Sequence, residues 1–243
     1  MKAMILAAGL GTRLRPLTDH GPKALVKVAG RTMLEITLAR LRSFDVRDVI
    51  INVHHFAEQV IAYLKANHNF GMHIEVSREE ILLDTGGGLK KAAHFFPSAS
   101  GGPEEPFILH NVDVVSDIDL RRMLQFHAEK QALATLAVQN RTASRYLLFD
   151  DHFQLCGRES KNQDELVCSS PSLQPLAFTG IHVISPRLLP LLTEQGAFSV
   201  ITSYLRLAAQ GEKILSFRAD RYYWRDLGRP ESIQQAVGEV DRF

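Results

Sequence analysis

The sequence predicts an α/β fold, a Rossmann-like three-layer αβα sandwich around a mostly parallel central sheet, with added strands on the substrate side. Three observations predict it. An apolar run over 4–8 empties into a loop with glycines at 9 and 11. β-Branched runs then alternate with segments of helical spacing. Finally, Asp113 follows the apolar run 107–110, and a carboxylate at the carboxyl end of a central strand stands where open α/β sheets bind ligands.

Taken in order, residues 33–41 place apolar side chains at 33, 34, 38 and 41, a helical spacing, with Gly30 marking the turn before them. The run 49–53 reads as a strand buried on both faces. Phe56, Val60, Ile61 and Leu64 repeat at helical spacing, and 73–76 gives a short strand. Residues 85–88, Thr-Gly-Gly-Gly, open a helix continuing through Leu89, Ala92, Ala93 and Phe95. Glycines are poor helix formers, so they call either for a flexible turn or for a close approach such as a ligand's. Residues 98–106 form a surface loop, and 107–110 a strand that leads to Asp113. Asp119 begins a helix carrying Leu120, Met123, Leu124 and Phe126, and 132–138 is a strand.

Beyond it, 146–149 and 153–155 read as a hairpin around the acidic turn Asp150-Asp151, and 157–172 as a polar, mobile stretch. Residues 176–184 form a strand interrupted at Thr179-Gly180, where a glycine marks a bulge or the close approach of a ligand. A helix over 200–208, strands at 214–217 and 222–224, and a terminal helix opened by Pro230 complete the chain. One domain, 1–243, accommodates all of this, with a core over about 1–138 and a C-terminal part of added strands over about 139–243.

Charge is nearly balanced, with 28 Lys+Arg against 27 Asp+Glu, which argues against a general nucleic-acid or anionic-membrane surface. Any anion site must be local. Cys156 and Cys168, the two cysteines, fit no zinc spacing and read as buried or free thiols of a reducing compartment. With no apolar stretch near the ~20 residues that span a bilayer, the expected localisation is cytoplasmic. For oligomeric state the expectation is a monomer or homodimer.

The amino-terminal loop carries the chemistry. Gly9 and Gly11 let backbone N–H groups approach an anion, and Arg13, Arg15 and Lys23 supply positive charge. A Walker loop would need Gly-Lys-Ser/Thr, and a dinucleotide fingerprint a third glycine or an alanine where this chain has Leu14. Both are missing, which disfavours a dinucleotide-dependent oxidoreductase. Leu6-Ala7-Ala8-Gly9-Leu10-Gly11-Thr12-Arg13-Leu14-Arg15-Pro16-Leu17-Thr18, followed by Pro22-Lys23-Ala24-Leu25, instead resembles the signature of the sugar-1-phosphate nucleotidyltransferases at every fixed position.

That resemblance implies the nucleotide-diphospho-sugar transferase fold and a set of roles. Ala8, Gly9, Gly11, Thr12, Arg13 and Lys23 would hold a nucleoside triphosphate. Thr85, Gly86 and Gly87 would border its base and ribose. Asn111, Thr179 and Gly180 would face the sugar phosphate, and Asp113 and Asp226 would hold Mg²⁺. Arg13, Lys23 and Asp113 are the expected catalytic groups. Asn111-Val112-Asp113 and Trp224-Arg225-Asp226-Leu227-Gly228 match the family's two metal segments, with Val112 replacing a common glycine.

Where many members carry Glu-Lys-Pro, whose lysine grips the sugar phosphate, this chain has Arg158-Glu159-Ser160; Lys161 is a candidate replacement. His54 and His55 read as surface or helix-entry residues. The missing lysine and the short chain make it similar to single-domain N-acetylmuramate 1-phosphate uridylyltransferases, with mannose- and heptose-1-phosphate guanylyltransferases as near relatives. The implied partners are a nucleoside triphosphate and a sugar 1-phosphate. A catalytically silent subunit that senses nucleotide sugars is the competing reading, and the intact charged set counts against it.

Overall fold

In the computed structural model, residues 1–96, 105–160 and 164–239 are described. The expected loop at 98–106 therefore falls mostly outside them, as does Lys161. Strand β1 (Lys2–Leu6) leads through the glycine loop to a small hairpin, β2 (Lys27–Val28) and β3 (Arg31–Thr32). Helix α1 (Met33–Ser43) follows, begun by Thr32, whose hydroxyl accepts the Glu35 amide at 3.0 Å. Next come β4 (Asp48–Val53), α2 (Ala57–Ala66), β5 (His73–Arg78) and α3 (Asp84–Lys91), then β6 (Phe107–Asn111) and the short β7 (Val114–Ser116).

Helix α4 (Leu120–Lys130) is capped as expected by the Asp119 carboxylate, which accepts from the Arg121 and Arg122 amides. Strands β8 (Ala134–Gln139), β9 (Arg145–Phe149), β10 (Leu155–Ser160), β11 (Glu165–Leu166) and the long β12 (Gln174–Ile184) follow. The chain then forms α5 (Val200–Ala209), β13 (Ile214–Arg218), β14 (Trp224–Asp226) and α6 (Pro230–Val237), the last with proline in its first turn.

The main sheet runs β11-β10-β9-β12-β6-β1-β4-β5, with β8 joining at β12 and β13 at β8. Strands β5, β4, β1 and β6 are parallel, whereas β12 lies antiparallel to β6. Alternation along the strands separates the layers. Ala3 and Ile5 of β1, with Val49, Ile51 and Val53 of β4, pack on one side with Leu34 and Leu38 of α1, Val60 of α2 and Met123 of α4. Met4 and Ile50 face the other side, with Leu89 of α3 and Tyr204 and Leu205 of α5. The expected three layers are present. Among the described residues, no helix is long and apolar enough to cross a membrane.

Three expectations need correction. Cys156 and Cys168 are joined in a disulfide rather than free. The 157–172 stretch is not uniformly irregular: β11 pairs with Gly157 and Arg158 of β10, the Val167 amide donates to the Cys156 carbonyl at 2.8 Å, and this pairing brings the two sulfurs together. The last strand begins at Trp224. Tyr222 and Tyr223 sit in the preceding turn because the Tyr223 amide donates to the Asp117 carboxylate and its carbonyl accepts the Asp117 amide, while the Tyr222 amide donates to the Ala219 carbonyl.

Candidate active site

Strand β1 delivers the signature loop to the carboxyl edge of the parallel strands. Gly11 adopts φ 67°, and a Cβ there would stand 2.9 Å from the Thr18 methyl, so this position needs glycine on two counts. Its carbonyl accepts from the Thr18 hydroxyl and the Leu14 amide, both at 2.9 Å, and Leu14 is fully buried. The loop is thereby folded onto itself while Gly9, Thr12 and Arg13 remain exposed. Ala8 is buried, and a Cβ on Gly9 would meet nothing within 4 Å.

A buried polar chain anchors the start of this loop. The Ala7 amide donates to Asn52 Oδ1 at 2.7 Å, Asn52 Nδ2 donates to Glu79 Oε1 at 2.7 Å, and Glu79 Oε2 accepts the Leu83 amide at 3.0 Å. Asn52 and Glu79 are both 2% exposed. A buried carboxylate without such partners would be costly, so the chain Ala7–Asn52–Glu79–Leu83 ties the glycine loop to the entry of α3.

The glycines of α3 have a packing reason of their own. A Cβ on Gly86 would lie 2.3 Å from the Phe198 ring, and one on Gly87 2.6 Å from the Gly196 carbonyl. The amides of Gly86 and Gly87 donate to the Phe198 carbonyl at 2.8 and 3.3 Å, and the Thr85 hydroxyl accepts the Val200 amide at 3.0 Å. Thr85, Gly86 and Gly87 thus seat α3 against the start of α5. His54 is a helix-entry residue as expected, its Nδ1 2.9 Å from the Glu79 carbonyl.

The acids meet through strand pairing. Strand β14 runs antiparallel to β7 with Asp226 opposite Val114, and the Leu227 amide donates to the Asp113 carbonyl at 2.8 Å. Asp113 and Asp226 therefore sit on neighbouring chain segments. Lys23 Nζ pairs with Asp113 Oδ2, both side chains being 13% exposed. Arg13 Nη2 lies 3.9 Å from Asp226 Oδ2, and Gly228 packs so close that a Cβ there would meet Arg13 Nη2 at 2.5 Å. Arg13, Lys23, Asp113 and Asp226 form one cluster.

Two carboxylates supply hard oxygen donors of the kind Mg²⁺ takes together with water and substrate phosphate. Among the described residues there is no group of three or more His, Cys, Asp or Glu that could hold a metal ion by itself. Asp113 and Asp226 consequently fit an ion shared with a phosphate ligand rather than one enclosed by protein.

Beside the cluster opens a cavity of about 680 Å³, lined among others by Arg13, Asn111, Thr179, Gly180 and Asp226. In β12 the register against β8 shifts between Phe178 and His182, and Gly180 takes φ 83°. The bulge brings Gly180 against Asn111, whose Nδ2 would stand 2.7 Å from a Cβ there. Thr179 points its hydroxyl away, onto the Ala137 carbonyl at 2.8 Å, while its own carbonyl accepts Trp224 Nε1 at 2.7 Å.

Arg141, Arg145, Trp224 and Arg229 also line this cavity and were given no role from sequence. The Arg141 guanidinium lies 3.7 Å over the Trp224 ring and donates from Nη2 to the Phe178 carbonyl at 3.0 Å. Its Nε is buried with no acceptor among the described residues. Burial lowers the Arg141 pKa from its ordinary value, against the opposing pull of Asp226. By contrast, Arg158 of the Arg158-Glu159-Ser160 segment is paired with Glu165 at 2.8 Å.

Residues 2–155 match the family described as nucleotidyl transferase. A UTP–glucose-1-phosphate uridylyltransferase of Synechocystis is 28% identical over 99% of this chain, which spans 63% of that relative's length. An N-acetylmuramate alpha-1-phosphate uridylyltransferase of Caulobacter vibrioides is 32% identical over 95% of this chain and 93% of its own. In fold, the chain is similar to the crystal structure of a Bacillus anthracis protein assigned as a glucose-1-phosphate thymidylyltransferase, with TM-score 0.81, 18% identity and coverage of 100% and 96% of the two chains. A glycine loop, a lysine and two acids gathered at one sheet edge, together with a match over most of the chain, place this protein in the nucleotidyl transferase family.

Proposed function

We propose that the protein transfers a nucleoside monophosphate from a nucleoside triphosphate to a sugar 1-phosphate, with release of pyrophosphate, and that UTP and N-acetylmuramate 1-phosphate are its substrates. The observation that carries this reading is the convergence of Arg13, Lys23, Asp113 and Asp226 beside a cavity of about 680 Å³. The choice of sugar and base is supported by the Caulobacter relative, whose length the chain almost entirely spans.

In the reaction an oxygen of the sugar phosphate attacks the α-phosphorus, the bond to the β-phosphate oxygen breaks, and pyrophosphate carries away the electron pair. Both reactants are anionic, so positioning and charge neutralisation are the main demands, and no covalent protein intermediate is required. The folded glycine loop presents backbone amides to the triphosphate. Arg13, whose planar fork suits phosphate oxygens, neutralises the departing end. Lys23, a compact charge at the Asp113 side, faces the α-phosphate and the incoming oxygen. Asp113 and Asp226 would hold Mg²⁺, which supplies charge stabilisation across the reacting phosphates. Asn111 and the Thr179-Gly180 bulge form the wall on which the sugar phosphate rests.

A matrix of four nucleoside triphosphates against N-acetylmuramate, glucose and mannose 1-phosphates, read by pyrophosphate release, tests this. The fastest turnover is expected with UTP and N-acetylmuramate 1-phosphate. Absence of turnover with every pair, alongside tight binding of a finished nucleotide sugar, would identify a sensor instead.

A further inference from the structure

The geometry points to Arg141 as the residue that binds the phosphate of the sugar substrate, taking the place of the lysine that the Arg158-Glu159-Ser160 segment lacks. This rests on the transferase reading above and deepens it.

Several observations place Arg141 in that role. It lines the same cavity as Asn111, Gly180 and Asp226. Arg13 lies against Asp226, whereas Arg141 is bonded to the carbonyl of Phe178, the residue that precedes Thr179-Gly180. The guanidinium rests over the Trp224 ring, which is itself fixed by the Thr179 carbonyl, and its Nη2 is tied to the Phe178 carbonyl, so the fork is restrained before any ligand arrives. Nη2 is committed to the Phe178 carbonyl, whereas Nε has no acceptor among the described residues. Nε is closed off from solvent, so it is the remaining Nη hydrogens of a cation lining an open cavity that match a phosphomonoester dianion. Arg158 cannot serve in the same way, since it is occupied by Glu165 on the outer strands.

Titration calorimetry on wild type, Arg141→Met and Arg141→Lys tests the assignment, with N-acetylmuramate 1-phosphate, glucose 1-phosphate, the two phosphate-free sugars and UTP as probes. Arg141→Met is expected to weaken binding of the sugar phosphates at least tenfold while UTP affinity stays within twofold, and Arg141→Lys to recover part of the loss. Unchanged sugar-phosphate affinity in Arg141→Met, or an equal loss for UTP with a lowered Tm, overturns it; the second result would mean that Arg141 only supports Trp224. The wild-type turnover matrix separates the two readings. If no pair turns over yet Arg141→Met still loses the sugar phosphate, the transferase reading fails and the Arg141 assignment holds. Rapid turnover with wild-type KM for the sugar phosphate in Arg141→Met leaves the transferase reading standing and removes Arg141 from it.

Discussion

Leu227 donates its amide to the Asp113 carbonyl at 2.8 Å, and this bond, next to the β7–β14 pairing, sets Asp113 and Asp226 on adjoining chain segments. The pairing of Asp113 with Lys23 and the approach of Arg13 to Asp226 then assemble four charges contributed by three distant parts of the sequence.

Lys23→Ala and Asp113→Ala are each expected to fold and to lose about 10²–10³ in turnover, equivalent to about 3–4 kcal/mol of transition-state stabilisation. Circular dichroism and pyrophosphate release, measured together, check this. Near-normal rates in both variants would contradict the assignment.

Dependence on a divalent cation is the outcome expected if the two carboxylates hold one. Treatment with EDTA should abolish turnover and added Mg²⁺ should restore it. Asp226→Asn should raise the Mg²⁺ concentration needed for half-maximal rate, because one hard anionic donor becomes neutral. A rate indifferent to EDTA would exclude the ion from the reaction.

Gly86→Ala should be destabilising by about 1–3 kcal/mol, since the new methyl meets the Phe198 ring and the helix cannot yield without moving α5. Urea denaturation measures it. A variant as stable as wild type that fails to bind UTP would shift the reason for this glycine from packing to the ligand.

The Cys156–Cys168 bond closes a short loop and restricts the unfolded chain, an effect of about 3 kcal/mol in the loop-entropy picture. Reduction, or Cys168→Ser, should therefore lower Tm by roughly 5–10 °C for a chain of this size. Scanning calorimetry with and without dithiothreitol decides it, and an unchanged Tm would show that strand pairing alone fixes this edge.

Acid should unfold the protein early. Burial lowers the pKa of His110 and His127 to about 4 and that of His182 to about 3, from an ordinary 6.5. All three are neutral when folded, whereas the unfolded chain protonates them below 6.5. Their effect is nil above that pH. Stability then falls between about pH 6.5 and 4 by up to about 1.4 kcal/mol per pH unit for each histidine. Urea midpoints at pH 7.5, 6.0 and 5.0 should decline in step, and equal midpoints would mean that the histidines protonate without unfolding the chain.

The sequence makes the first half of the site readable because glycine loop, arginine and lysine are contiguous, so their spacing survives without knowledge of the fold. The two acids are legible as strand-end residues, but their meeting depends on the β7–β14 pairing, which no local pattern announces. Arg141 escaped notice for a similar reason: its environment is made by Trp224 and Phe178, both far along the chain. The disulfide was misjudged because a cysteine's partner is decided by strand neighbours rather than spacing, and here β11 brings the thiols together. In α3, a run of glycines pointed towards a ligand, whereas the Phe198 ring already accounts for Gly86.

Strand β12 pairs with β9 through Gln174–Leu176 and with β6 through Ile181–Ile184, the bulge at Gly180 lying between the two stretches. One continuous strand thus belongs to two neighbourhoods. Leu147 and Phe149 of β9 and Leu155 of β10 share a buried cluster with Met4 and Ile50, so a change on the outer strands is felt in the central ladder through that common core as well as through β12.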